Sequence, residues 1–300
     1  MAKNRTSIYS ALFANLLIAA TKFVAGSFTN SSSMIAEGIH SMVDTTNQVL
    51  LLYGLKRSKK PADNLRPFGY GKELYFWSFI VSILIFGLGG GLSIYQGVLH
   101  IQHPETPGDP TWNYVVLGLS MIFEGVSLII ATKEFNKLRG DLSFWDAIVK
   151  SKDPSSFLVV FEDGAAVIGL IIVFVLMLCS HHFNMPWLDG LASVLVGVLL
   201  IFASWIIARE SRSLLMGEGI TKDTRQKIKT LAEKDKAVIT VSNIISTYQS
   251  PEEILLILVV SFKPDLDTEE ITDSINRIRE AIKEEFTLVE FVIIQPQHAN

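Results

Sequence analysis

The chain has 300 residues, 49% of them hydrophobic and 19% charged, with a formal net charge of −4, whereas soluble domains average roughly 25% charged. The charge is unevenly spread: the first 213 positions hold 16 Lys+Arg and 15 Asp+Glu, the last 87 hold 10 and 15. That split excludes a single water-soluble globule and predicts a membrane domain over 1–213 followed by a cytoplasmic α/β domain over 214–300.

A bilayer core of about 30 Å takes roughly 20 apolar residues of helix. Six stretches reach that length: Ser7–Ser27, Ser33–Leu55, Tyr75–Ile101, Tyr114–Ala131, Phe157–Cys179 and Leu188–Ala208. The first follows a basic start (Lys3, Arg5) and no A-x-A-like site comes after it, so it reads as a membrane helix rather than a signal peptide. The connections Phe28–Ser32, His100–Trp112 and Ser180–Pro186 contain no Lys or Arg. The segment after the second span holds Lys56, Arg57, Lys59, Lys60, Arg66 and Lys72; that after the fourth holds Lys133, Lys137, Arg139, Lys150 and Lys152; Arg209 and Arg212 follow the sixth. The positive-inside rule then puts both termini in the cytoplasm. The expected location is a bacterial inner (plasma) membrane.

In the tail, a helix over about Thr221–Lys234 precedes β-rich runs at Val238–Tyr248 and Ile254–Phe262, joined by a turn at Gln249-Ser250-Pro251. Asp267-Thr-Glu-Glu270 is a capping-box start for a helix with Ile271, Ile275, Ile278 and Ile282 on one face, and a last strand follows at Leu288–Ile294. The order α-β-β-α-β predicts a small ferredoxin-like sheet with helices on one face. A module this small gains from dimerisation, so a homodimer is expected.

Charged residues deep in a bilayer need a partner or a function. The second span carries Glu37, His40, Asp44, Asn47 and Gln48, and the first three fall within about 60° of one another on the helix wheel. The fifth span carries Glu162 and Asp163, the fourth Glu124, and the first Asn15 and Lys22. One imidazole and several carboxylates in a water-poor place suit a divalent transition metal, Zn²⁺ or, with more oxygen ligands, Mn²⁺ or Fe²⁺. His40 and Asp44 supply two ligands from one helix and Asp163 is the best third. Glu37, Glu162 and Glu124 are candidates for a further ligand or a proton relay. Because these groups bind metal only when deprotonated, protons compete for the site. A hydrogen-bonded packing pair is the plainer alternative for His40 and Asp44, and for Glu124 a pairing with Lys22. His100, His103, His181 and His182 lie at the external span ends and read as interfacial, and His298 as a surface residue. The glycines Gly87, Gly89, Gly90 and Gly91 permit either a close helix approach or a bend.

These residues resemble the cation diffusion facilitator family of metal efflux carriers. The resemblance rests on Ser33-Met-Ile-Ala-Glu-Gly-Ile-His40-Ser-Met-Val-Asp44, Arg66-Pro-Phe-Gly-Tyr-Gly71, Phe161-Glu-Asp163-Gly-Ala-Ala-Val-Ile-Gly169 and Asp189-Gly-Leu-Ala-Ser193. The third of these, with Ser151-Lys-Asp-Pro154, is similar to the branch containing the mitochondrial zinc transporter. The resemblance implies a homodimeric Zn²⁺/H⁺ antiporter exporting metal from the cytosol, with His40, Asp44 and Asp163 as metal ligands. Val159 stands where many relatives carry a fourth, histidine ligand, which leaves Glu162, Glu37 or water to complete the shell and broadens the expected cargo to Fe²⁺, Mn²⁺ or Co²⁺. The tail has no histidine cluster for cytoplasmic metal.

Other classes fit less well. Glu37-Gly-Ile-His40 is half of a di-iron carboxylate motif, but no second copy exists, and H-E-x-x-H and G-x-S-x-G are absent, so no enzyme and no prosthetic group is expected. The single cysteine, Cys179, excludes a disulfide framework. The tail lacks a basic tract, so the expected partners are metal ion, protons, lipid and a second copy, not nucleic acid. A non-transporting membrane metal-binding protein is the remote alternative.

Overall fold

The computed structural model describes residues 2–104, 111–140 and 142–297, and their side chains except at 2–14, 138, 145, 149, 150, 155 and 156. His298 and positions 105–110 of the loop after the third span lie outside the described residues. Helices α1 (Ala2–Thr29) and α2 (Ser32–Ser58) come first, then α3 (Glu73–Leu84), a π-helical stretch (Ile85–Gly91) and α4 (Leu92–Gln102). These are followed by α5 (Thr111–Arg139), α6 (Phe144–Lys150), α7 (Pro154–Phe183) and α8 (Trp187–Met216). The tail contains α9 (Lys222–Ala232), β1 (Val238–Ser250), β2 (Glu253–Phe262), α10 (Thr268–Glu285) and β3 (Val289–Gln297). The chain divides into two compact units: Met1–Leu55 with Leu74–Arg212, and Lys56–Glu73 with Ser213–Asn300.

The first unit is helical. Among the described residues, Glu73–Gln102, Thr111–Lys137, Phe157–Phe183 and Trp187–Met216 are long and apolar enough to cross a membrane. Sequence patterning predicts six spans, and the difference lies in α1 and α2. They are 28 and 27 residues long, so length does not set them apart, but α2 carries Glu37, His40, Asp44, Asn47 and Gln48. Most of the apolar length of α5 is exposed, as expected of a helix that faces lipid. Buried Met34, Val43, Val81, Leu117, Leu158, Leu170, Val196 and Leu200 from α2, α3, α5, α7 and α8 form one apolar core. The short α6 was not anticipated; Ser143 caps it, accepting from the Asp146 backbone N–H at 3.2 Å.

The glycines of the third span do both things the sequence allowed. The helix loosens into the π-helical stretch at Ile85–Gly91. Gly90 and Gly97 also lie against Gly197 and Gly190 of α8. A Cβ on Gly97 would meet the Gly190 carbonyl oxygen at 2.6 Å, and one on Gly197 would meet the Gly90 carbonyl oxygen at 2.8 Å. The two backbones therefore touch, a contact that hydrogen in place of a side chain permits.

In the second unit β2 is central, pairing antiparallel with β1 and parallel with β3. Parallel pairing demands a crossover, which α10 supplies. The predicted capping box is present: Glu270 N–H donates to Asp267 at 2.8 Å, and Glu270 accepts from the Asp267 N–H at 3.0 Å. Ile244, Leu256, Leu258, Val292 and Ile294 bury one sheet face against Ile228, Ile278 and Ile282 of α9 and α10. On the other face Ile245, Ile257 and Ile293 form a row across the three strands. Ile245 and Ile293 are 52% and 48% exposed. Lys56–Glu73 belongs to this unit: Phe68 meets Phe291 edge-on at 5.5 Å, and Gly71 lies against Gln249 and Ser250. The Tyr70 hydroxyl donates to Asp63 at 2.6 Å and, with the Arg66 and Leu65 backbone N–H groups, holds that carboxyl below its ordinary range.

A Cβ at Gly97 must push α4 off α8, whereas one at Gly125 on α5 meets nothing within 4 Å. Gly97→Ala should lower the thermal midpoint of the detergent-solubilised protein by several degrees. Gly125→Ala should leave it unchanged or raise it slightly through helix propensity. Parallel melting curves of the two variants check this.

Candidate functional site

Helices α1, α2, α5 and α7 enclose a cavity of about 300 Å³. Its wall includes Asn15 and Ile18 from α1, Ser41, Asp44 and Gln48 from α2, Glu124 and Ser127 from α5, and Val159, Glu162 and Asp163 from α7. Carboxylates from three helices thus share one space. The helical period explains why α2 can contribute: Ser41, Asp44 and Gln48 follow one another at spacings of three and four, so they lie on one face.

The two adjacent acids of α7 are held by different neighbours. Asn47 Nδ2 donates to Glu162 Oε1 at 2.5 Å, and Ser127 Oγ donates to Asp163 Oδ2 at 2.7 Å. Adjacent residues on a helix point about 100° apart, which is why the two acids meet different neighbours. Both donors are neutral, so they orient the carboxylates without cancelling their charge. Asn15 and Gln48 meet at 3.4 Å between α1 and α2.

His40 lies beside Asp44, Nε2 to Oδ2 at 3.4 Å, but not on the cavity wall. Both imidazole nitrogens and Asp44 Oδ1 are buried without a hydrogen-bond partner. Unpaired buried polar atoms are costly and rare, and a bound ion would satisfy them. No three His, Cys, Asp or Glu side chains among the described residues converge closely enough to hold an ion as they stand. What the structure shows is an acidic cavity with two unsatisfied groups at one side, not a closed coordination cage.

Glu37 is placed elsewhere. Lys22 Nζ, fully buried, donates to Glu37 Oε2 at 3.0 Å and to Ser41 Oγ at 2.9 Å. The pairing of Lys22 with Glu124 that sequence reasoning entertained is therefore replaced by one with Glu37. Glu124 lines the cavity with Asp163 instead.

A second polar cluster was not anticipated as such. Asp189, in the first turn of α8, accepts from Ser31 Oγ at 2.8 Å, Ser32 Oγ at 3.0 Å and the Ser33 backbone N–H at 3.2 Å, and also from Ser33 Oγ. Ser193 joins Ser32 at 3.0 Å, and His100 Nε2 lies 3.8 Å from Asp189. The carboxylate thus satisfies the free N-terminal end of α2, where a negative charge is favoured by the helix dipole. The available signal was a serine triplet at the start of one span and an acid at the start of another. Nothing local joins them across more than 150 positions. His103 and His182 are exposed at helix ends.

The cation efflux transmembrane domain model matches residues 8–216. The chain is similar to the mitochondrial proton-coupled zinc antiporter of Xenopus laevis, 32% identical over 268 residues, covering 86% of this chain and 48% of that protein. It thus spans about half the length of that relative. It is also similar to the manganese efflux system protein MneS of Bacillus subtilis, 24% identical over 286 residues, with 95% and 93% covered. A cadmium form of the MamM CTD aligns with 26% of this chain and 98% of its own, at 14% identity and a TM-score of 0.25.

Replacing Asp189 with Ala would remove the acceptor shared by three serine hydroxyls and one backbone N–H. Asp189→Ala should destabilise the helical unit by on the order of 3 kcal/mol, with Asp189→Asn recovering part of the loss. Thermal unfolding followed by circular dichroism in detergent reads both.

Proposed function

The chain belongs to the cation efflux family, a family of transporters and not of enzymes, and on that premise we propose that it exports a divalent transition metal from the cytosol in exchange for protons, with zinc as the principal cargo. The observation that carries this is the shared cavity of Asp44, Glu124, Glu162 and Asp163, with His40 and Asp44 Oδ1 unsatisfied at its edge. In this reading His40, Asp44 and Asp163 are ligands once the helices close on the ion. Glu162 or a water takes the fourth place, and Glu124 passes protons. Metal and proton compete for the same lone pairs, so release of one is coupled to capture of the other.

Six spans are part of the proposal. At about 1.5 Å per residue, α1 and α2 are each roughly 40 Å long, enough to cross with the other four. Their polar groups face the cavity, Lys22 or one another, which removes the cost that would bar them from lipid. The cavity-lining residues lie near the middle of α2 and α5 and in the first third of α7, whose N-terminal end follows a basic segment, so approach from the cytoplasmic side is part of the proposal.

Manganese is a second reading favoured by one observation. Val159, which has no donor atom, lies on the cavity wall, and apart from His40 the donors available are oxygens. An oxygen-rich set suits Mn²⁺ better than a tetrahedral histidine-rich set does.

We also propose that the second unit pairs with its counterpart in a second copy through the Ile245–Ile257–Ile293 row. A contiguous apolar row on a sheet face otherwise left in water supports this.

In sealed proteoliposomes a zinc gradient should drive proton movement, read by an entrapped pH dye. Asp44→Ala and Asp163→Ala should each lower the rate at least about 100-fold, as expected when a buried ligand is lost; undiminished exchange in both would overturn the assignment. Val159→His, tested under metal competition, should move preference toward zinc over manganese.

The dimer is tested separately. Ile245→Asp should shift the full-length protein from dimer to monomer in light scattering while the zinc-driven proton flux of reconstituted protein remains measurable.

A further inference from the structure

Lys22 is not needed by the chemistry just described, and on simple grounds it opposes it. An ammonium near a cavity built for a dication repels the cargo. Burying a charge pair is also costly, and an apolar pair of similar volume would pack as well or better. Its presence therefore asks for an electrical reason.

The geometry supplies one. Ser41 is shared between Lys22 and the cavity: its hydroxyl accepts from Nζ at 2.9 Å, and its side chain lines the wall one turn before Asp44. The ammonium thus stands one hydroxyl group behind the wall. On its other side Lys22 holds Glu37 Oε2 at 3.0 Å, while Glu37 Oε1 has no partner and lies 3.1 Å from where a Cβ on Gly169 of α7 would be. Glu37 is therefore lodged against the backbone of α7, on the same helix face as His40 and Asp44 and excluded from the cavity wall. Neither member of the pair touches the space where the cargo would sit, yet both are close enough for their fields to reach it through a medium of low dielectric constant.

We infer that Lys22 and Glu37 are a tethered charge pair that sets how tightly the cavity holds its divalent ion, as positioning residues rather than ligands. Glu37 cancels the repulsion of Lys22, and Lys22 keeps Glu37 from adding one more carboxylate to the acidic set. Too many free carboxylates would trap the ion; an uncancelled ammonium would expel it. The inference rests on the proposal that the cavity carries a divalent metal.

A double-mutant cycle on the full-length detergent-solubilised chain tests it, with zinc affinity read by competition against a metallochromic chelator. Lys22→Met should tighten zinc binding and Glu37→Gln should weaken it, each by about ten-fold or more for one unbalanced unit charge so near the site. The double variant should return to within about three-fold of the parent. Opposite signs are the diagnostic outcome, because a pair that served packing alone would weaken binding in both single variants. Changes of the same sign, or none, overturn the inference. If either single variant fails to fold with its charge stranded, the double variant, which strands none, decides: parent-like affinity supports the pair as a non-ligand, and lost affinity overturns it. A parent chain that neither binds zinc nor exchanges it for protons would sink the transport reading and this inference with it. Exchange by the parent with a same-sign cycle sinks this inference alone.

Discussion

A charged side chain inside a low-dielectric bundle must be satisfied, and that requirement organises the helical unit. Its ionisable groups meet the demand in two ways. Asp189 and Lys22 are engaged with named partners: Asp189 accepts four hydrogen bonds from the Ser31–Ser33 segment, and Lys22 donates hydrogen bonds to Glu37 and Ser41. The acids of the cavity are treated differently. Glu162 and Asp163 are each held by one neutral donor, Asn47 and Ser127, while Asp44 keeps one oxygen unpaired. A neutral donor fixes a carboxylate in direction and leaves its charge in place. The cavity is thus acidic and oriented at once, which is the state a cation would find most favourable.

The same unit contrasts a tight contact with an open one. Gly90 and Gly97 bring the π-helical stretch and α4 against Gly197 and Gly190 of α8 until backbone meets backbone, a packing that leaves little room for relative movement. Helices α1, α2, α5 and α7 surround a space of about 300 Å³ instead. Asp189 belongs to α8 and grips the start of α2, so one carboxylate ties the glycine-packed pair to a helix that carries His40 and Asp44. A displacement of α2 relative to α8 must first break or pivot on that grip.

The second unit shows how a small sheet disposes of two apolar faces. One is covered by α9 and α10 through Ile228, Ile278 and Ile282. The other is covered at one end by Phe68 from the Lys56–Glu73 segment, which follows α2 in the chain. Asp63, Arg66, Tyr70 and Glu73 brace that segment internally, with Arg66 donating to Glu73 at 2.6 Å. The isoleucine row beyond Phe68 is what remains uncovered.

Much of this was written locally. The long apolar helices, the α-β-β-α-β order of the tail, the capping box at Asp267 and the row of acids on one face of α2 are all consequences of short-range periodicity and composition, and the structure contains each of them. The membrane class and the family resemblance also followed from contiguous residues. What the sequence could not decide was partnership. The sequence offered Glu124 as a partner for Lys22, and the actual choice of Glu37 depends on how α1 is rotated against α2. Asp189 and Ser31–Ser33 are joined by helix packing alone, as are Asn47 with Glu162 and Ser127 with Asp163. Pairing between distant positions is set by how whole helices rotate and cross, and those rotations depend on the sum of all their contacts, which no single stretch of residues contains.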